Sequence, residues 1–224
     1  ISANTVLRDS STNNFNLTAF GDTRASNFTP YGTGWSVYFD GTGDYLSTAS
    51  NAAFALGTGN FTFDMWVYSG ANGTGTRLAG NSAGGSWTTN RWVMATSVPA
   101  NPNKFVFATN NYGGDMLVST STFNNNQWMH VAVVRSGNAW ALWVNGTREA
   151  YIANNATAVD SGSSEVFNIG RSNLSGDSDW AGYVSGFRMV KGTAVYDPTQ
   201  TTITVPTAPL TAISGTSLLT CHAN

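Results

Sequence analysis

Charge is what this chain has least of. Only 10% of its 224 residues are Asp, Glu, Lys or Arg, against roughly 25% in an ordinary soluble domain. There are two lysines and two glutamates, the net charge is −2, and no basic run occurs. That argues against nucleic acid as a partner, because neutralising phosphates needs clustered Lys and Arg. It argues against an anionic membrane surface for the same reason. Cys221 is the single cysteine, so no internal disulfide can staple the fold. No apolar run approaches the roughly 20 residues of a membrane helix, and no membrane insertion is expected. The opening residues, Ile1-Ser2-Ala3-Asn4, read neither as an initiator nor as a signal peptide. The expectation is a module of a longer protein.

Apolar and aromatic residues are plentiful, at 41% and 12%. They lean to Val, Phe, Trp and Tyr, which suit pleated, half-buried surfaces. The surface is left to Thr, Ser, Asn and Gly. Trp128–Arg135 and Ala139–Asn145 alternate and are joined by a short Gly-containing turn. Asn145-Gly146 then suits a type I′ connection, since both residues tolerate positive φ. Further strands are expected at Asn14–Thr18, Trp35–Phe39, Tyr45–Ser47, Phe61–Tyr68, Arg77–Gly80, Arg91–Ser97, Lys104–Thr109, Asp115–Ser119, Val166–Gly170, Gly182–Lys191 and Ser217–Cys221. Phe61–Tyr68 has bulky residues on both phases, as a strand covered on both faces does. Single helical turns are expected at Asn51–Leu56 and Ala194–Asp197. The fold class is accordingly all-β, an antiparallel two-sheet sandwich formed by residues 1–224 as one domain.

Several segments together resemble one family. Ser36-Val-Tyr-Phe-Asp-Gly-Thr-Gly-Asp-Tyr-Leu46, Gly59-Asn-Phe-Thr-Phe-Asp-Met-Trp-Val67 and Trp128-Met-His-Val-Ala-Val-Val-Arg135 with Leu142-Trp-Val-Asn-Gly146 resemble, in that order, the strands of laminin-G-like, concanavalin A-like jelly rolls. Gly182–Tyr196, Val205–Pro209 and Ser217–Cys221 resemble the version found in large virion appendage proteins of bacteriophages. The resemblance implies a jelly roll, surface recognition or structural decoration, and sugar binding as in much of the wider fold. It also implies neighbouring domains in series, with Ser217–Cys221 closing its own sandwich or completing the next one. The implied location is a virion surface or another extracellular setting.

Catalysis is not expected. Glycoside hydrolysis needs two carboxylates flanking a sugar bond, and Phe61–Tyr68 offers Asp64 alone, with Glu149 and Glu165 in unrelated surroundings. His130 sits mid-strand; it is either a ligand or base, or a buried histidine held by hydrogen bonds. Trp66 and Trp128 read as core.

Two kinds of site remain open. Asp40 and Asp44 flank a Gly-rich turn, and such hard oxygen donors suit a structural Ca²⁺. The resembling family adds an acidic residue near the start of the last long strand, where this chain has Tyr183-Val-Ser185, so Asp177 and Asp179 are the candidate substitutes. The alternative is two Asp residues capping a turn through Asx hydrogen bonds. For carbohydrate, the candidates are Trp143, which points away from Trp140, Leu142 and Val144, and Trp87, Trp92 and Tyr112 with Asn90, Arg91, Asn110 and Asn111 as polar partners. The alternative is that these aromatics cover a sheet edge or a neighbouring domain. The reading that results is a non-catalytic virion-surface module recognising a glycan or another surface molecule. A purely structural spacer, or a domain of a bacterial secreted adhesin, is the alternative.

Overall fold

Two antiparallel sheets of eight strands each face one another. The computed structural model describes residues 7–70, 76–81, 91–98, 101–109, 116–159, 166–172 and 178–222. The first sheet runs β1 (Thr18–Phe20), β4 (Tyr45–Thr48), β13 (Phe167–Ile169), β6 (Thr76–Asn81), β7 (Trp92–Val98), β8 (Asn101–Thr109) and β9 (Met116–Val118), with β14 (Ser178–Asp179) parallel to β6. The second runs β12 (Thr147–Ile152), β11 (Ala139–Val144), β10 (Trp128–Ser136), β5 (Phe61–Ser69), β15 (Ala181–Lys191), β3 (Ser36–Asp40) and β2 (Arg24–Ser26), with β16 (Thr216–Thr220) on β15.

Alternation explains the core. Phe61, Phe63, Met65 and Val67 of β5 point inward with Val131, Val133, Trp140, Leu142, Phe187 and Met189. They meet Trp92, Met94, Phe105, Phe107 and Phe167 of the first sheet. Each such side chain contributes roughly 1.5–3 kcal/mol when fully buried. The turns follow their residue chemistry. Gly137 (φ 58) heads the two-residue β10–β11 loop, and Asn145 (φ 49) with Gly146 (φ 81) joins β11 to β12. Both have the positive φ that such tight hairpins require.

Two of the local expectations shift and one holds. The strand at Asn14–Thr18 starts only at Thr18, because Asn14 takes φ 48 and the Phe15 amide is drawn to the Asp9 carboxylate at 3.0 Å. Asn51–Leu56 does form one turn, a 3₁₀ helix at Ala52–Phe54 capped by Asn51. Ala194–Asp197 does not. Thr62 Oγ1 donates to Thr193 O and accepts from the Val195 amide, which pins that segment onto β5.

β16 lies in its own sandwich, antiparallel to β15. The start of the chain locks it there. Ser10 N donates to Leu219 O (2.7 Å), and Asp9, 3% exposed, accepts from the amides of Ser11, Phe15 and Leu219 and the Ser11 hydroxyl. The segment after β15 then crosses the outer face of the second sheet. It is tied to β12 and its turn by Ile203 N to Gly146 O and Arg148 N to Thr201 O, both 2.8 Å.

Candidate functional site

Two of the tryptophans expected to offer an exposed sugar platform, Trp143 and Trp92, do not do so. Trp143 points outward, as alternation requires, but the crossing segment buries it completely under Ala194, Tyr196 and Ile203. Trp92 points inward and is 1% exposed, its ring 4.5 Å from that of Phe63. Arg91 beside it is buried as well. Trp87, Asn90, Asn110, Asn111 and Tyr112 lie outside the described residues, as does Asp177.

The turn at Asp40–Asp44 gathers three carboxylates, each engaged by backbone. Asp44 is fully buried; its Oδ1 accepts from Asp22 N (2.5 Å) and its Oδ2 from Asp40 N (2.8 Å). A Cβ on Gly21 would collide with Asp44 Oδ1, so glycine at φ 64 is what lets the two loops close. Asp40 Oδ1 accepts from Thr42 N (2.7 Å), an Asx turn, and Asp179 Oδ2 accepts from Gly43 N (2.9 Å). Calcium takes six to eight oxygens, and among the described residues no cluster of three or more acidic, His or Cys side chains is arranged to hold a metal. The described geometry fits turn capping and does not fit a Ca²⁺ cage.

Asp64 anchors a different cluster, on the outer face of the second sheet beneath the crossing segment. His130 Nε2 donates to Asp64 Oδ1 (2.6 Å). Arg188 Nη2 and the Tyr196 hydroxyl donate to Oδ2 (2.8 and 2.7 Å), and Arg188 Nη1 reaches Thr211 O (3.1 Å). Asp64 and His130 are fully buried, so the histidine is the hydrogen-bonded one of the two alternatives. Burial alone would raise the Asp64 carboxyl. The hydrogen bonds and charges of His130, then Tyr196 and Arg188, outweigh it and hold the group below its ordinary value. The same carboxylate, added to burial, pushes the Tyr196 hydroxyl up and Tyr31 up to about 12. Glu149 is also engaged: Thr120 and Ser121 bind it through amides and hydroxyls, which overcomes its partial burial and lowers it.

The same outer face carries a feature that was missed. Trp128 pairs with Tyr68, Tyr68 with Tyr183, Tyr183 with Tyr38, and Tyr38 with Arg24. These direct cross-strand partners form one row over β10, β5, β15, β3 and β2. The four rings are half-buried. Phe28, 41% exposed, stands on them with centroids 4.8 Å from Tyr68, 5.0 Å from Tyr183 and 5.4 Å from Trp128. Arg24 lies 4.3 Å over the Tyr38 ring. Trp66, in the next row, is half-buried beside Tyr31 (6.0 Å). Trp66 and Trp128 are therefore outer-face residues, not core. Strand phase was the available signal, since Trp66 and Tyr68 alternate with Phe63, Met65 and Val67. By contrast, a shallow depression of about 490 Å³ near Thr12, Asn13, Lys191 and Ser217 is lined by no aromatic ring.

The fold has known counterparts. Domain 4 of AbnA, an extracellular arabinanase from Geobacillus stearothermophilus solved with arabinotriose, superposes with TM-score 0.62 and 17% identity over 87% of this chain and 90% of that one. The botulinum neurotoxin serotype G binding domain gives 0.62 and 9%, over 84% of this chain and 46% of that one. A structure of botulinum neurotoxin type C, whose cell entry depends on interaction with two ganglioside molecules, gives 0.56 and 15%, over 85% and 46%. The chain thus spans about half the length of the neurotoxin chains. No curated protein matches in sequence. The family model of the concanavalin A-like lectin/glucanases superfamily matches residues 40–195, most of the chain, and the protein belongs to that superfamily.

Proposed function

We propose that this chain is a non-catalytic, extracellular glycan-recognition module. The observation that carries this reading is the division of labour among its side chains. Asp9, Asp44, Asp64 and Glu149 are engaged in holding the fold, whereas a neutral, aromatic-rich surface faces solvent. A glycosidase needs the reverse, a carboxylate pair free to meet a sugar. The likeness to an arabinotriose-bound domain of the same extent supports glycan as the ligand class. The resemblance of Gly182–Tyr196 and Ser217–Cys221 to bacteriophage appendage proteins supports the proposal of a virion-surface module that is one unit of a longer protein. Calcium has no role in this reading. A glycan array probed with the whole chain tests it, alongside an assay for released reducing sugar. Binding without release is expected. Failure to bind any glycan, or sustained release, would overturn it.

A spacer role is the second reading. It is favoured by the Asp9 clamp, which closes the sandwich with its own last strand and suits a unit repeated in series.

A further inference from the structure

We infer that the glycan site is the aromatic row on the outer face of the second sheet, and that it takes a neutral, extended oligosaccharide. This rests on the glycan-binding reading and assigns it a place. The row crosses four inter-strand steps of about 4.8 Å, or roughly 19 Å. That is the footprint of a chain of sugars and not of one ring. Its rings are half-buried, with Phe28 standing on three of them, so the ligand lies along their exposed edges.

The chemistry of the row selects the occupant. Trp128, Tyr68, Tyr183 and Tyr38 combine an apolar ring with a polar edge, as side chains at wet contact surfaces do. A sugar ring has the same two-sided character, with C–H faces for stacking and hydroxyls at its rim. The hydroxyls of Tyr38, Tyr68 and Tyr183 have no hydrogen-bond partner among the described residues and are not sealed from solvent. They are available as donors and acceptors along the strip. Arg24 is the sole charged side chain in the row and is stacked on Tyr38. One guanidinium is too little for a polyanion, which needs clustered cations, and no carboxylate lies in the row to meet a basic peptide. Phe28 projects from the loop after β2 and stands over Tyr68 and Tyr183, giving the strip a raised side against which a sugar chain is set. The crossing segment roofs the part of this face that holds Asp64, Trp143 and Arg188; the row lies beyond those roofed residues.

The test uses the full chain and a ladder of neutral arabino-, xylo- and manno-oligosaccharides from disaccharide to hexasaccharide, followed by calorimetry. Affinity is expected to rise with length. Tyr68→Ala and Trp128→Ala should each weaken binding at least about tenfold, and Tyr68→Phe, which keeps the ring, should weaken it less. Tyr151→Ala, at an exposed ring beside Arg148 on β12, should bind as wild type. Thermal melts of each variant separate lost binding from lost folding. If the row variants fold and bind as tightly as wild type, the site lies elsewhere and only this inference fails. If wild type binds no glycan on the ladder or the array, the inference falls with the wider reading. If wild type self-associates in sedimentation and Tyr68→Ala does not, the row is an interface between copies and the inference is overturned.

Discussion

Replacing Asp64 is the sharpest perturbation of this fold. Its carboxylate sits at the centre of the second sheet and is met from three directions by His130 of β10, Arg188 of β15 and Tyr196 of the crossing segment. In Asp64→Ala these partners stay buried while their acceptor is gone. Removing one member of a buried pair costs about 3–5 kcal/mol, because an uncompensated charge remains. For a domain of this size 1 kcal/mol moves the melting temperature by about 2–4 °C, so a fall of about 6–20 °C is expected in a calorimetric melt. The pH dependence has a definite direction. Asp64 titrates below its ordinary value in the folded state; the unfolded chain therefore binds the proton first as acid is added, near the usual 3.9. The contribution is present above that pH and is lost as pH falls through the lower folded-state value. The gap between wild type and Asp64→Ala should accordingly be full at neutral pH and narrow below about pH 4. Arg188→Met combined with Asp64→Ala should cost less than the two single changes added together, since the double variant leaves no orphaned guanidinium. A melting temperature within about 2 °C of wild type, or a gap that stays constant into strong acid, would refute the account of this cluster.

The other expectations rest on burial. Trp143→Ala should lower stability by about 3–5 kcal/mol while leaving glycan affinity of the folded fraction unchanged, read by denaturant melts and calorimetry, because Trp143 is sealed beneath Tyr196 and Ile203. Chelator or added Ca²⁺ should leave the melting temperature unmoved, since the oxygens of Asp44 already accept backbone N–H groups and a ligand must bind the native state to raise its stability. The Cys221 thiol, which complete burial pushes up to about 12, should resist a thiol reagent in the native protein and react at once in denaturant.

Where sequence was legible, one strand's own pattern sufficed. The inward Phe61, Phe63, Met65 and Val67 and the Asn145-Gly146 turn are local properties, and each stands where the pattern puts it. The site residues depended on neighbours that no pattern names. The outward direction of Trp143 was readable, but its cover comes from an irregular segment some fifty residues later. Trp92 failed differently: on β7 both phases are apolar, with Met94 in the core and Val93 and Ala95 on the other face, so alternation could not say which side was inside. Asp44 resembled a metal ligand because its partners, Gly21 and the Asp22 amide, lie on a loop about twenty residues earlier. The aromatic row was hidden for the same reason. It is spread over five strands as single residues and becomes a surface only when register aligns them.

That register also explains why one sheet face can do two jobs. A β-bulge interrupts β15 between Ser185 and Arg188, with Gly186 at φ 64, the kind of insertion that twists a strand and re-aims the side chains beyond it. Before the bulge β15 pairs with β3, and Tyr183 joins the aromatic row. After it β15 pairs on the same edge with β16, and Arg188 joins Asp64 beneath the crossing segment. The half that β16 and the Asp9 clamp complete is the buried, charged and stabilising one. The half bordered by β3 and β2 takes no contact from β16 in the ladder and leaves its rings half-exposed, with Phe28 packed on three of them. Substitutions in the row thus act on a surface whose side chains contribute little burial to the core, whereas substitutions at Asp64 or Trp143 act on the fold itself. A loss of binding in the first group without a loss of stability, and the converse in the second, is the pattern this division of the face requires.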